Sequence, residues 1–157
     1  MKNYLMILQE SLQKKIELLQ AVESKSKEQS EIFAAGEMTL PVLDKLMDDK
    51  AQYIKEIEKL DDGFDSLYQK IKAELVSHKD SYRSEIASIQ TLIGRVTELS
   101  ASIQTIETRN KQLVENKFRE EHQEIKKQRA SSEVTMNYYN NMNKVNMVAP
   151  QFMDEKK

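Results

Sequence analysis

Apolar residues recur every three or four positions through three long tracts of the chain, and that periodicity admits little besides long amphipathic helices. The first stripe runs Leu5, Leu8, Leu12, Ile16, Leu19 and Val22. It ends at "FAAGEMTLP", where Gly36 can take the positive φ of a helix end and Pro41 can open the next helix, with Asp44 in its first turn. The second stripe runs Leu43, Leu46, Tyr53, Ile57, Leu60, Phe64, Leu67 and Ile71, with Lys50 as a polar interruption. Gly63 falls inside this stripe, but its cost of about 1 kcal/mol against alanine is one that buried neighbours can offset, so the spacing predicts a continuous helix. Around "SHKDSYRSE" the stripe thins and Ser77, Asp80 and Ser81 are available as caps, so the chain turns there.

The third stripe, Ile86, Ile89, Ile93, Val96, Leu99, Ile103, Ile106 and Leu113, is the most regular. A helix from residue 80 to 130 would be about 75 Å long at 1.5 Å per residue. Ordering residues 86–113 costs about 1 to 2 kcal/mol each in backbone entropy, while each covered stripe residue returns about 1.5 to 3 kcal/mol. Such a helix cannot stand alone. The expected fold is therefore all-α: an elongated antiparallel helical bundle or coiled coil of about three long helices, with a flexible or short-helical C-terminal tail. Residues 1–131 form the bundle in this reading, and 132–157 form the tail. Asn110 sits at a stripe position and reads as a register-setting polar residue in the seam, with a partner contact as the alternative. The mixed-charge run "NKFREEHQEIKKQR" reads as a solvated face.

Composition narrows the function classes. Three glycines among 157 residues cannot build a phosphate loop or a nucleophile elbow, and neither pattern occurs. The absence of cysteine removes disulfides and thiolate chemistry and suits a reducing compartment. His78 and His122 lack the acid three residues upstream that a helical carboxylate metal site uses; Leu75 and Arg119 stand there. The expectation is no catalytic residue, no metal and no cofactor. The 24 basic and 26 acidic residues are interspersed, which leaves no basic face for nucleic acid. No tract reaches the roughly 18 apolar residues of a membrane span, and "MKNYLMILQE" is too short an apolar run for a secretory signal. The expected location is the cytoplasm, without membrane insertion.

What remains is association through surfaces, and the end of the chain differs from the rest. Residues 134–143 carry no charge, and four of the eight methionines, Met136, Met142, Met147 and Met153, lie there or beyond, beside Tyr138, Tyr139 and Phe152. Methionine adapts to varied apolar partners, and tyrosine adds contact area with few torsions to freeze. Val134, Tyr138, Met142 and Val145 fall on one helical stripe, the spacing of a segment that docks in a groove. The segment could instead fold back on its own bundle or stay unordered. The partner-binding reading takes Val134, Met136, Tyr138, Tyr139, Met142, Val145, Met147 and Phe152 as its residues.

The amphipathic first helix, "LPVLDKLMDDKAQYIKEIEKLDDGF", "IQTIETRNKQLVENKF", the tyrosine pair and the ending "PQFMDEKK" together resemble the FlgN-type flagellar export chaperones. Phe152, Met153, Asp154 and Lys156 are similar to the Phe-apolar-Asp-x-Lys ending of Gram-positive members. Where members often carry arginine after the second helix, this chain has Asp61 and Asp62. The resemblance implies a cytosolic chaperone that holds hook-filament junction (hook-associated) proteins, prevents premature assembly and assists flagellar type III export, gripping clients through its C-terminal part. Components of the export apparatus are further expected partners, and both a monomer and a homodimer fit the sequence. The alternative is a structural homo-oligomeric coiled-coil scaffold or adaptor.

Overall fold

The structure, a computed structural model, describes residues 1–120, 129–146 and 150–153, and within the last helix the side chains of residues 134–142. Among the described residues it is all-helical, with three long helices and a shorter fourth: α1 (Lys2–Ala34), α2 (Leu40–Ser77), α3 (Arg83–Glu120) and α4 (Arg129–Asn146), with a 3-10 turn at Lys79–Tyr82 between α2 and α3.

Local chemistry sets the ends. Gly36 has φ +72°, and the N–H groups of Gly36 and Glu37 donate to the carbonyls of Phe33 and Ile32, both at 3.1 Å, a glycine-closed helix terminus that satisfies two orphan acceptors. Thr39 caps α2, its hydroxyl accepting from the Val42 N–H at 3.3 Å. Because α2 begins at Leu40, one residue before Pro41, Asp44 lies beyond the first turn rather than in it. The helix runs unbroken through Gly63 to Ser77, as its phase predicts.

Pairings between helices give their directions. Lys15 meets Asp61 and Lys25 meets Asp49, so α1 and α2 run in opposite directions. Glu23 meets Ser102 and Ser30 meets Asn110, so α1 and α3 run the same way. All six residues of the first stripe are buried. On α2 the buried line is Leu43, Leu46, Met47, Lys50, Ile54, Ile57, Phe64, Tyr68, Ile71 and Leu75, leaving Tyr53, Leu60 and Leu67 half-buried at its edge. The sequence phase drifted because it stepped over Lys50, which is itself a core residue. On α3 the same displacement puts Glu107 and Val114 at the centre, with Ile93, Ile106 and Leu113 half-buried beside them.

The interior thus changes character along its length. One end, from Leu5 to Val22 on α1, is mainly hydrocarbon, with Lys15 its one buried charge among the described residues; the other, from Ser26 onward, is built on Ser26, Gln29, Lys50, Glu107 and Asn110. Helix α4 lies against α2 and α3 at that polar end. The run from 116 to 129 falls largely outside the described residues; of its described members, Asn116, Lys117 and Phe118 are half-buried and Arg119 and Glu120 exposed.

Candidate partner-binding site

The polar layer is a connected network. Lys50 and Glu107 form an ion pair at 2.8 Å with both side chains fully enclosed. Isolated charges in such a place would be strongly disfavoured, and here each finds further partners. The Lys50 ammonium also donates to Gln29 Oε1 at 2.5 Å. Glu107 Oε1 accepts from Asn110 Nδ2 at 2.9 Å, and Asn110 additionally donates to the Ser26 carbonyl and accepts from the Ser30 hydroxyl at 2.6 Å. Asn110 is therefore a seam residue that ties α3 to α1, the first of the two roles open to it.

Helix α4 completes this network. The Tyr138 hydroxyl donates to Glu107 Oε2, the same oxygen that Lys50 contacts. Gln29 Nε2 donates to the Tyr139 hydroxyl at 3.2 Å. The Lys50 ammonium lies 4.7 Å from the Tyr138 ring centroid and 5.8 Å from that of Tyr139, within cation–π range of both, and the two rings pack edge to face at 5.1 Å. Burial pushes the Lys50 ammonium below its usual range, with Glu107 pulling it back. Burial and then the Glu107 carboxylate push both tyrosine phenols up.

A second seat lies further along α2. Phe152 packs against Phe64 and Tyr68, with centroids 6.3 and 5.1 Å apart, and the Met153 N–H donates to the Tyr68 hydroxyl at 2.8 Å. Tyr138 lies near Lys50 and Met153 near Tyr68, so these two described points of the C-terminal segment follow the direction of α2.

The structure brings four of the eight residues of the partner-binding reading into contact with the body: Tyr138, Tyr139, Met142 and Phe152 are buried. Val134 is 38% exposed and Met136 half-buried. The side chain of Val145, and Met147 altogether, lie outside the described residues. Sequence reasoning passed over Lys50, Gln29 and Glu107. A signal existed: Lys50 stands three residues after Met47 and four before Ile54, and Glu107 stands four after Ile103 and three before Asn110, so both hold core phase. Asp61, which stands where members of the resembled family often carry arginine, pairs with buried Lys15 at 2.7 Å, and burial raises its carboxyl.

Two expectations follow from this network. Truncating one partner of a buried pair strands the other, so Lys50→Ala should cost about 3 to 5 kcal/mol in urea unfolding; Lys50→Met with Glu107→Leu strands no charge and should recover part of that loss, the rest remaining because the Tyr138 hydroxyl and Gln29 Oε1 lose their partners. The tyrosines give a pH dependence. Their folded values lie above the unfolded value of 10.0, so their contribution is fully present below pH 10 and is lost as pH climbs through the folded values. A spectrophotometric phenol titration should show a late component accompanied by loss of α4 helicity, and Tyr138→Phe with Tyr139→Phe should remove it.

Among the described residues no helix is long and apolar enough to cross a membrane, and no cluster of three or more His, Cys, Asp or Glu could hold a metal. No curated protein and no solved structure matches the chain. A family model does: the one described as FlgN protein matches residues 1–146, which takes in α1 to α3 and all of α4. With the match extending over the bundle and the tyrosine-bearing helix alike, the chain belongs to the FlgN family.

Proposed function

We propose that the chain is a cytosolic flagellar export chaperone that holds hook-filament junction proteins through its C-terminal segment, preventing premature assembly and assisting their type III export. In this reading residues 1–131 act as a stiff antiparallel coiled-coil handle, and residues 132–157 supply the grip. Membership of the FlgN family supports the chaperone role. The observation that supports the grip is that α4 seats its aromatic face, Tyr138 and Tyr139, on the polar layer of Gln29, Lys50 and Glu107, while Leu5 to Val22 continue the core beyond that layer.

An amphipathic helix held mainly by Tyr138, Tyr139 and Met142 can exchange its seat for a client without dismantling that core. While α4 is seated, Val134 and Met136 are the accessible apolar groups among its described side chains and would make first contact. Ordering a segment on a client, or moving it from one seat to another, consumes part of the gross binding energy, which leaves an affinity moderate enough for hand-over to export components. A structural scaffold is the second reading, and the exposed run Tyr4, Met6 and Ile7 at the start of α1 favours it as a self-association surface.

The full-length variant Tyr138→Ser, Tyr139→Ser, Met142→Ser tests the first reading. Circular dichroism should retain most of the helical signal, because α1, α2 and α3 have 33, 38 and 38 residues against 18 in α4. Titration with a purified hook-filament junction protein should show affinity reduced by about tenfold or more, as expected when aromatic anchors are truncated. Undiminished affinity would contradict the proposal. If that were joined by concentration-dependent self-association that Met6→Lys and Ile7→Lys abolish, the scaffold reading would replace it.

A further inference from the structure

We infer that the groove between α2 and α3 is selective for hydroxyl-bearing aromatic helices, and that the Lys50–Glu107 pair imposes this selectivity. This goes beyond the proposed chaperone reading, in which α4 itself holds the client, and concerns the seat that α4 leaves: the vacated groove accepts an amphipathic helix presenting tyrosine at the Lys50–Glu107 position and turns aliphatic helices away.

The floor of the groove at this level is charged. An occupant covers Lys50 and Glu107, removing both from water, and so must supply what water supplied. Glu107 Oε2 already accepts from Lys50 and takes a further donor from the Tyr138 hydroxyl; the ammonium gains the faces of two rings. Tyrosine meets both needs with one side chain, a polar tip over the carboxylate and a π-face towards the cation. Phenylalanine would meet only the second, and leucine neither. An aliphatic helix would gain hydrocarbon contact but leave a buried carboxylate short of a donor and a buried ammonium without its rings. The seating of α4 itself, on this chain, is the observed instance of the chemistry the groove accepts.

The resident helix is not an ideal occupant. Thr135 is fully buried, and its hydroxyl has no partner among the described residues. Burying an unpaired hydroxyl weakens the seat, so an external helix that keeps the tyrosines and places an apolar group at the Thr135 position gains an advantage over α4. The partner chemistry is thereby specified: tyrosine for Glu107 and Lys50, with an aliphatic side chain one turn earlier.

The test uses the full-length Tyr138→Ser, Tyr139→Ser, Met142→Ser chain, whose own α4 no longer competes well for the groove. Two labelled peptides are titrated by fluorescence anisotropy: residues 132–146 of this chain, and the same peptide with Tyr138→Leu and Tyr139→Leu. The tyrosine peptide should bind about tenfold more tightly than the leucine peptide, the scale of one charge-assisted hydrogen bond. Adding Lys50→Met and Glu107→Leu to the protein removes both charges from the groove floor, and the order should then invert. Equal binding of the two peptides, or a tyrosine preference that survives this change, would overturn the inference. Because no junction protein enters the experiment, its outcome is independent of whether the chaperone reading holds: failed client capture with intact peptide selectivity would remove the function and leave the filter.

Discussion

A single buried ion pair, Lys50 with Glu107, organises the polar end of the molecule. Neither charge could be enclosed alone, so each recruits partners from the neighbouring helices: Gln29 from α1, Asn110 from α3, and Tyr138 from α4. The pair thus touches or is bridged to all four described helices. An apolar layer tolerates sliding by a turn because one leucine resembles another, whereas a layer of matched donors and acceptors is satisfied in one register only. Asn110, bonded to Ser26, Ser30 and Glu107, extends that restriction to the contact between α1 and α3.

Two consequences meet at this layer. The mainly apolar half of the bundle, Leu5 to Val22 with Phe64, Ile71 and Leu75 on α2 and Ile86 to Leu99 on α3, supplies cohesion away from the Lys50 layer. The polar half supplies a seat whose floor is hydrophilic once uncovered. A helix that leaves a greasy groove exposes a surface prone to aggregation; a helix that leaves Lys50 and Glu107 exposes groups that water solvates well. That distribution suits the proposed role, in which α4 is lent to other polypeptides.

Much of the scaffold could be read from residue order. Leu5 to Val22 lie in the core as their spacing requires, Gly36 ends α1 in the left-handed region, and α2 passes through Gly63 without a break. The turn near Ser77 is a 3-10 segment where the stripe thins. What spacing did not disclose was charge in the interior. Lys50 and Glu107 belong to residue types that sit on surfaces in most helices, and only their coincidence across two helices, 57 positions apart, makes burial possible. Periodicity within one helix carries no information about that coincidence. The same holds for Lys15 and Asp61, and for the tail, where the sequence admitted docking, folding back or disorder, and the choice of a seat for Tyr138 depends on groups supplied by α1 and α3.

In this reading α4 rests on a body able to hold together without it. Native-state hydrogen exchange with low urea concentrations measures this directly, by comparing the opening free energy of the amides of residues 135–142 with that of the amides around Leu12, Ile57 and Val96. Opening of α4 at a clearly lower free energy, with the amides of α1, α2 and α3 still protected, is the result this account predicts. Loss of both sets in one transition with a shared free energy would contradict it.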